Sequence, residues 1–215
     1  MDYHSNCSVK LDVNRIDSEI VKKSYDFVVN LFENRLSSDF KFHSIAHTRE
    51  VLKYVQILGK YKGFSEQKMN LLKVSAIFHD VGYINAYKGH EKEGVIIARK
   101  FLKKNKINEQ QIQIIADAIL STKLPQKPKN LYSKILCDAD LINLTYDDYF
   151  KNAELLRQEW IKTGFAEMSE KEFHENSVRF FKMHNYHTDY GRNVLDVKKK
   201  KVLQRIQKRL AKINE

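Results

Sequence analysis

The chain has 215 residues, of which 42% are hydrophobic and 30% are charged, a composition that fits a globular domain with a substantial core. Its 7 glycines and 2 prolines leave few tight turns, which favours long helices over many short strands. The formal net charge of +11 indicates an anionic partner, such as a nucleotide, a phosphate ester or a nucleic acid.

Neither a targeting segment nor a membrane span is visible in the sequence. Residues 1–13 contain no apolar stretch that resembles a signal peptide, and no run approaches the roughly 18 apolar residues that cross a bilayer. Cys7 and Cys137 lie far apart and form no ligand pattern, so we interpret both as reduced thiols. We therefore expect a cytoplasmic protein that does not bind a membrane.

Apolar residues recur at helical spacing along most of the chain, after an N-terminal arm predicted over residues 1–16. Residues that commonly cap helices, namely Asp17 or Ser18, Ser65, Asn108 and Ser169, precede four of these segments. The predicted helices cover approximately residues 17–35, 49–59, 66–80, 90–103, 109–121, 131–144, 147–162, 170–184 and 191–215. No alternating run is long enough for a strand, so the predicted fold class is all-α, a single bundle of about nine helices with its core at residues 17–190.

The last predicted helix, residues 191–215, is strongly basic and is expected to pack on the core. Its basic residues are Lys198, Lys199, Lys200, Lys201, Arg205, Lys208, Arg209 and Lys212, and its apolar residues are Leu203, Ile206, Leu210 and Ile213. Because the two sets interleave at helical spacing, we interpret the basic residues as the solvated face of an amphipathic helix. Contact of this face with nucleic acid or with a membrane is the alternative.

The residues that carry chemistry are organised around the segment 77–83, which reads Ile-Phe-His-Asp-Val-Gly-Tyr. His and Asp are ligand types that hold divalent cations. Adjacent side chains on a helix point in different directions, so His79 and Asp80 can reach one ion only where the helix ends. Gly82 is expected to provide this end, because glycine tolerates the left-handed conformation common just past a helix terminus.

Three further groups could complete one site. His43 and His47 are four residues apart, so they share a face if both lie on a helix. In the segment 138–140, Asp-Ala-Asp, the two carboxylates point about 200° from each other on a helix, so only one of them can face an ion. His90 and Glu91 open the helix that follows the glycine-containing loop.

In chain order, His47, the pair His79-Asp80 and the Asp140 that follows an alanine resemble the H…HD…D signature of the HD-domain superfamily of metal-dependent phosphohydrolases. Residues 40–145 resemble the core of that superfamily in order, approximate spacing and helical context. The stretch Leu156-Arg157-Gln158-Glu159-Trp160, followed by Phe165 and Arg179, is similar to the branch called predicted metal-dependent HD phosphohydrolases. The resemblance covers most of residues 40–210.

The resemblance implies four metal ligands: His47, His79, Asp80 and Asp140. Asp80 is also a candidate catalytic residue, and Asp138 would support the site as a hydrogen-bond acceptor. One divalent ion per chain is implied, either Mn, Mg, Fe or Zn, because His and carboxylate ligands suit each of these. The implied activity is hydrolysis of a phosphomonoester or phosphodiester by metal-activated water. The expected partner is therefore a small phosphorylated metabolite or a nucleotide, with nucleic acid as the less favoured alternative.

Four neighbouring residues are candidates for catalysis or substrate binding. In the related cyclic-nucleotide phosphodiesterases, a histidine at the position of His43 donates a proton to the leaving oxygen; a helix-entry histidine bonded to backbone is the alternative. Glu91 could orient the attacking water or act as general base, or could simply favour the helix dipole. His90 and Lys123 are candidates for substrate binding, with a solvated loop charge as the alternative for Lys123.

Two functions from other classes remain open. Some HD proteins hold paired irons and oxidise carbon with dioxygen, but the histidine that two-metal members place near the end of the fifth helix is replaced here by Leu120-Ser121-Thr122-Lys123. The other is a nucleotide-sensing or binding module without turnover, with the basic terminal helix contacting its partner. The presence of all four expected ligands argues against such a degenerate site.

Overall fold

The computed structural model describes residues 15–213, and within this range it contains nine α-helices and no strand. The helices are α1 (Ser18–Arg35), α2 (Ile45–Tyr61), α3 (Glu66–Phe78), α4 (His90–Lys104), α5 (Glu109–Ser121), α6 (Leu131–Asp140), α7 (Tyr149–Lys162), α8 (Glu170–Met183) and α9 (Asp196–Ile213). The predicted all-α fold class is therefore confirmed. The predicted N-terminal arm lies almost wholly outside the described residues, although Ile16 is buried in the core.

Three of the predicted helix starts carry the expected side-chain caps. The Asp17 carboxylate accepts a hydrogen bond from the backbone of Ile20, and Asn108 accepts one from Gln111. Ser169 and Glu172 form a reciprocal capping box at the start of α8. Ser65 occupies the capping position of α3 but makes no capping hydrogen bond through its side chain. The start of α3 is therefore fixed by burial of the helix rather than by its cap.

Helix α3 is the centre of the bundle. Its residues Leu72, Val74, Ala76 and Phe78 are fully buried and point to different sides of the helix, as expected for a helix that is covered all round. It packs against α1, α2 and α5, and these contacts place the C-terminal end of α3 inside the molecule. Burial of each large side chain contributes about 1.5–3 kcal/mol to folding. The His-Asp pair that follows Phe78 is consequently held on a rigid, buried support.

Helices α7, α8 and α9 enclose a second apolar cluster. Its buried members are Leu144, Tyr149, Ala153, Phe173, Phe181, Val202 and Ile206. Helix α8 packs along α9, and α9 also contacts the short 3₁₀ turn Ile142–Thr145 that follows α6. No helix between residues 15 and 213 combines the length and apolar content needed to cross a membrane.

The prediction for the sixth helix was wrong at its C-terminal end. Helix α6 ends at Asp140, and the 3₁₀ turn Ile142–Thr145 replaces the last predicted turn. In this tighter geometry Ile142 packs against Tyr186, whereas Leu144 enters the cluster between α7 and α8. The helix stops because these two apolar side chains are buried in different parts of the molecule.

The interpretation of the terminal basic residues as one solvated face was wrong at Lys199, which is only 4% exposed. Its ammonium group donates a hydrogen bond to the carbonyl oxygen of His184 at 2.6 Å and lies 2.9 Å from the Asp196 carboxylate. A buried lysine is tolerated when its charge is paired in this way. Lys199 therefore ties α9 to the end of α8 instead of facing solvent.

Candidate metal centre and its cavity

The four residues with the predicted ligand roles come from three helices that pack together. His47 lies in the first turn of α2, His79 and Asp80 follow the last residue of α3, and Asp140 is the last residue of α6. Helix α2 packs against both α3 and α6. We call these four residues the His-Asp cluster.

The ligand atoms of the His-Asp cluster converge on one point and all lie within 4.8 Å of one another. The Nε2 atom of His79 lies 3.1 Å from Asp80 Oδ2 and 3.4 Å from Asp140 Oδ1. The Nε2 atom of His47 lies 3.2 Å from Asp140 Oδ1 and 3.5 Å from Asp80 Oδ2. Neighbouring ligands at about 2.1 Å from an ion are about 3.0–3.4 Å apart in octahedral and tetrahedral geometry, so the spacing suits a small divalent cation.

The orientation of His79 is set by the backbone. Its Nδ1 atom lies 2.7 Å from the carbonyl oxygen of Ala76, one turn earlier in α3. A carbonyl oxygen can only accept, so Nδ1 carries the hydrogen and the lone pair of the neutral ring is on Nε2. Metal-bound histidines are commonly held in this way. The free lone pair of His79 therefore points into the cluster.

The charges of the His-Asp cluster stabilise one another. Burial alone raises the pKa of Asp140, but hydrogen bonds from His47 and His79 outweigh this effect and lower the pKa to about 2. The pKa of Asp80 is also held well below its usual value, because the charge of His79 outweighs burial. Burial lowers the pKa of His79, yet the neighbouring carboxylates raise it well above 6.5. The site therefore holds two ionised carboxylates, which favour a positive charge beside them.

The residues present fit a divalent metal ion. Asp80 Oδ2 is buried and has no hydrogen-bond partner, although it points at the two imidazole nitrogens of the cluster. An unpaired buried carboxylate oxygen is costly unless a cation or donor satisfies it. In octahedral coordination, two nitrogen and two oxygen ligands leave two positions open for water and substrate. The buried His-Asp cluster could therefore hold a metal ion.

Gly82 has a different role from the one predicted. It lies in the 3₁₀ turn Val81–Ile84 and does not adopt a left-handed conformation. A Cβ atom at this position would overlap the carbonyl oxygen of His90 and lie 2.6 Å from the backbone nitrogen of Gly94. Glycine is required because the N-terminal turn of α4 packs directly on the backbone after Asp80. This close approach brings His90 and Glu91 to the cluster.

The cluster forms part of the wall of a cavity of about 570 Å³. Of the eight residues singled out from the sequence, His43, His47, Asp80, His90, Glu91, Lys123 and Asp140 line this cavity. His79 lies behind them and is fully buried. Cavities of this size bind small molecules. The structure therefore brings all the predicted site residues to one place.

His43 precedes α2, so the shared helix face predicted for His43 and His47 was wrong. Its Nδ1 atom forms a short hydrogen bond with the Glu159 carboxylate, and its Nε2 atom lies 3.3 Å from the Tyr83 hydroxyl. The His43 and His47 rings are nevertheless neighbours, with centroids 6.0 Å apart. The alternative of a helix-entry histidine bonded only to backbone was therefore also wrong.

The sequence motif around Trp160 contains Glu159 of α7, but the sequence alone did not indicate that this residue belongs to the site. Its side chain is fully buried and accepts hydrogen bonds from the backbone nitrogens of Phe42 at 2.9 Å and His43 at 3.0 Å. It also accepts one from the Tyr87 hydroxyl at 3.2 Å. These partners lie more than 70 residues away in sequence, so no local pattern could have indicated them.

Glu159 affects the protonation of His43. Burial lowers the pKa of the His43 ring, but the hydrogen bond with Glu159 and the charges of Asp80, Glu159 and Asp140 outweigh burial, so the pKa is raised above 6.5. The pKa of Glu159 is lowered because the same hydrogen bond outweighs the burial of its carboxylate. The His43 ring at the edge of the cavity is therefore protonated to a larger fraction near neutral pH than an unperturbed histidine.

His90 and Glu91 stand beside the cluster at the start of α4. The His90 ring stacks on Tyr83 with centroids 3.8 Å apart, and its Nε2 atom lies 3.6 Å from Asp80 Oδ1 and 3.8 Å from Glu91 Oε1. Glu91 is buried, and its Oε2 atom has no hydrogen-bond partner. Lys123 is exposed at the cavity, beyond the end of α5.

Asp138 points away from the cluster, as the helical angle between it and Asp140 predicts. It accepts hydrogen bonds from the backbone nitrogen of His187 at 2.7 Å and from both the backbone nitrogen and the hydroxyl of Thr188. The segment before α9 is thereby anchored to α6. The two aspartates of the motif have separate tasks, because one faces the cavity and the other holds the chain that packs behind it.

The comparison with known families agrees with this geometry. Residues 44–143 match the family model of the HD domain, a metal-dependent hydrolase type of fold. This span contains the complete His-Asp cluster as well as His90, Glu91 and Lys123. The chain therefore contains an HD domain, as its motifs indicate. Among the curated proteins and among the solved structures, no significant match to the chain was found.

Proposed function

We propose that the protein is a metal-dependent phosphohydrolase that cleaves a phosphomonoester or a phosphodiester. The observation that carries the proposal is the convergence of four ligand atoms at the wall of a 570 Å³ cavity. A divalent cation held there would polarise a phosphoryl oxygen and lower the pKa of a bound water. His47, His79, Asp80 and Asp140 would hold this cation.

Glu91 is our candidate for the residue that acts on the attacking water. Its Oε2 atom is buried and has no hydrogen-bond partner, and its Oε1 atom lies 3.8 Å from His90 Nε2 in the wall of the same cavity. A buried carboxylate oxygen without a partner accepts a hydrogen bond or a proton from a water in reach. We assign Glu91 the role of orienting this water and receiving its proton.

His43 is our candidate for the residue that supplies a proton to the leaving group. Its Nδ1–H is held by Glu159, so the second proton of the imidazolium is on Nε2, which lies 3.3 Å from the hydroxyl of Tyr83, and both residues line the cavity. The raised pKa keeps a larger fraction of the ring protonated near neutral pH. Protonation of the leaving oxygen removes the developing negative charge when the ester bond breaks.

Lys88 and Lys123 provide positive charge for the phosphate. Both are exposed lysines that line the cavity. Their ammonium groups can reach an anionic substrate without the cost of burying an unpaired charge. We assign to them the attraction of the phosphate group toward the cluster.

The first test is hydrolysis of phosphomonoesters, phosphodiesters and nucleotides by the protein loaded with Mn, Mg, Fe or Zn. We expect metal-dependent turnover that falls by at least roughly 100-fold in His79→Ala and Asp140→Ala, because each removes a ligand. His187→Ala and Asp117→Ala are the matched controls, since both side chains lie outside the cavity lining.

Metal content measured after gel filtration separates binding from turnover. Loss of bound metal in His79→Ala and Asp140→Ala, with retention in the two controls, supports the ligand assignment. A protein that binds metal through the cluster yet hydrolyses none of the esters contradicts the proposed function. Two irons per chain with consumption of dioxygen would instead favour an oxygenase.

A further inference from the structure

We propose that the substrate carries a large apolar group next to its phosphate, and that this group lies in an apolar chamber between α7 and α8. This inference rests on the proposed function, because it concerns the ester that the same site cleaves. The chamber is the part of the cavity lined by Leu144, Tyr149, Ala153, Leu156, Trp160, Phe173, Phe180 and Phe181.

The chamber is continuous with the His-Asp cluster. The same cavity is lined by Asp80 and Asp140 of the cluster and by Phe173 and Phe181 of the chamber. The space is therefore not a separate void in the core. A molecule with its phosphate at the cluster would have its alcohol portion in the chamber.

Aromatic side chains connect the chamber to the residues around His43. Trp160 contacts Phe165 and Phe173, with ring centroids 5.4 Å apart in both pairs. Phe165 contacts Tyr87 at 4.5 Å, and Tyr87 lies beside the Glu159 carboxylate that holds His43. These rings form an apolar wall that begins within contact of the catalytic residues.

Three polar residues line the cavity beside the chamber: Asn143, Asn176 and Ser177. The Ser177 hydroxyl is already hydrogen-bonded to the carbonyl oxygen of Phe173 at 2.9 Å. Asn176 contacts Met168 and Arg179 through its side chain. Asn143 Oδ1 is buried without a hydrogen-bond partner. The lining thus offers a large apolar surface with one free acceptor, which suits an apolar group better than a polyhydroxylated one.

The charge distribution fits the same substrate. Lys88 and Lys123 line the same cavity, and the Lys88 ammonium group is 5.7 Å from the centre of the Phe165 ring. The eight residues that define the chamber carry no charge. A molecule with an anionic phosphate and an apolar body matches a cavity that has both kinds of lining.

The chamber is built by the part of the chain that follows the HD domain. Residues 149–181 of α7 and α8 supply most of its lining, whereas the family match ends at residue 143. The ligands and the chamber therefore come from separate segments. Substrate preference is determined by helices that are added to the metal-binding core.

The test uses phosphonates, whose carbon–phosphorus bond is not hydrolysed, so that binding is measured without turnover. Trp160 is the only tryptophan in the sequence and it lines the chamber, so its fluorescence reports occupancy. Methylphosphonate, butylphosphonate, octylphosphonate and phenylphosphonate are titrated into the Mn-loaded protein. We expect at least a tenfold rise in affinity from methyl- to octylphosphonate, together with a change in Trp160 emission.

A filling substitution provides the matched variant. Ala153→Phe places a ring in the chamber, and we expect it to weaken octylphosphonate binding by at least tenfold while methylphosphonate binding changes less than twofold. Ala211→Phe introduces the same ring at an exposed position of α9 and serves as control. If Ala153→Phe does not fold, the chain-length series on the wild type decides the question.

Comparison of the phosphonates distinguishes the possible results. Tighter binding of octylphosphonate than of phenylphosphonate indicates an aliphatic group, and the reverse indicates an aromatic one. Equal affinity for methyl-, octyl- and phenylphosphonate overturns the proposal. Equal kcat/KM for methyl phosphate and octyl phosphate overturns the chamber but leaves the hydrolase intact. Tight octylphosphonate binding without hydrolysis of any ester contradicts only the proposed function.

Discussion

A single buried carboxylate connects the last third of the chain to the candidate site. Glu159 accepts hydrogen bonds from two successive backbone nitrogens at the entry to α2 and from the His43 ring. Leaving such buried donors unpaired costs about 1–3 kcal/mol each, so the carboxylate fixes the backbone as well as the imidazole. In the proposed reaction Glu159 would act through His43, as a positioning residue.

Replacing Glu159 with Gln tests this role. The amide preserves the shape but removes the charge, so part of the effect that outweighs burial is lost and the pKa of His43 falls. The fraction of protonated His43 then decreases at alkaline pH. We expect the alkaline limb of the kcat profile to move to lower pH, and at pH values above both pKa values kcat should fall about tenfold for each unit by which the pKa falls.

Two comparisons distinguish positioning from a general loss of structure. Glu159→Asp retains the charge and should recover part of the profile, whereas Glu154→Gln, in the exposed pair with Arg157 on the same helix, should leave it unchanged. A uniform decrease of kcat at every pH in Glu159→Gln, with no displacement of the limb, would contradict the assignment.

At the level of elements, the contact between the turn after α3 and the start of α4 determines how the site is assembled. The turn Val81–Ile84 and α4 pack closely because Gly82 has no side chain. This contact brings His90 Nε2 to 3.6 Å from Asp80 Oδ1 and to 3.8 Å from Glu91 Oε1. The close packing of these two elements therefore determines the geometry of the site as well as the packing of the core.

Substitution of Gly82 by Ala should separate these elements. The added Cβ overlaps the backbone of His90, so α4 must move, and we expect a loss of about 1–3 kcal/mol in the free energy of unfolding. Weaker metal binding should accompany it, because Asp80 directly precedes the displaced turn. Urea denaturation and a metal titration measure the two effects.

Gly164→Ala is the control for this experiment. Gly164 has a positive φ of 67° but no atom within 4 Å of its Cβ position, so the substitution costs backbone strain alone. We expect a loss of stability of about 1–2 kcal/mol with unchanged metal affinity. Equal metal affinity in Gly82→Ala and the wild type would show that the contact serves packing only.

On the scale of the whole molecule, the His-Asp cluster joins three helices that are distant in sequence. Metal binding to the folded state alone should therefore stabilise the entire domain. At 100 times Kd the gain is about 2.7 kcal/mol, which corresponds to a rise of about 5–10 °C in Tm for a domain of this size. Differential scanning calorimetry with and without Mn measures this shift.

The expected stabilisation depends on the cluster and not on surface charge. Addition of a chelator should reverse it, and His79→Ala should abolish it. His187→Ala, outside the cavity, should keep the full shift. A similar increase of Tm in His79→Ala would place the metal elsewhere and contradict the ligand assignment.

The sequence by itself determined the helical fold class and most helix boundaries, because apolar spacing and capping residues act within a few positions. It also indicated which histidines and aspartates belong together, since their order and spacing resemble the HD-domain motif. The angle between Asp138 and Asp140 was sufficient to predict that only one faces the site.

The tertiary structure alone decided the remaining features, because each depends on contacts between distant residues. Glu159 meets His43 across 116 positions, and Gly82 is required by the approach of α4. Lys199 is buried because the carbonyl oxygen of His184, at the end of α8, accepts a hydrogen bond from its ammonium group. The apolar chamber depends on α7 and α8 leaving space beside the cluster. Local patterns carry no information about such distances, which arise only when the helices pack.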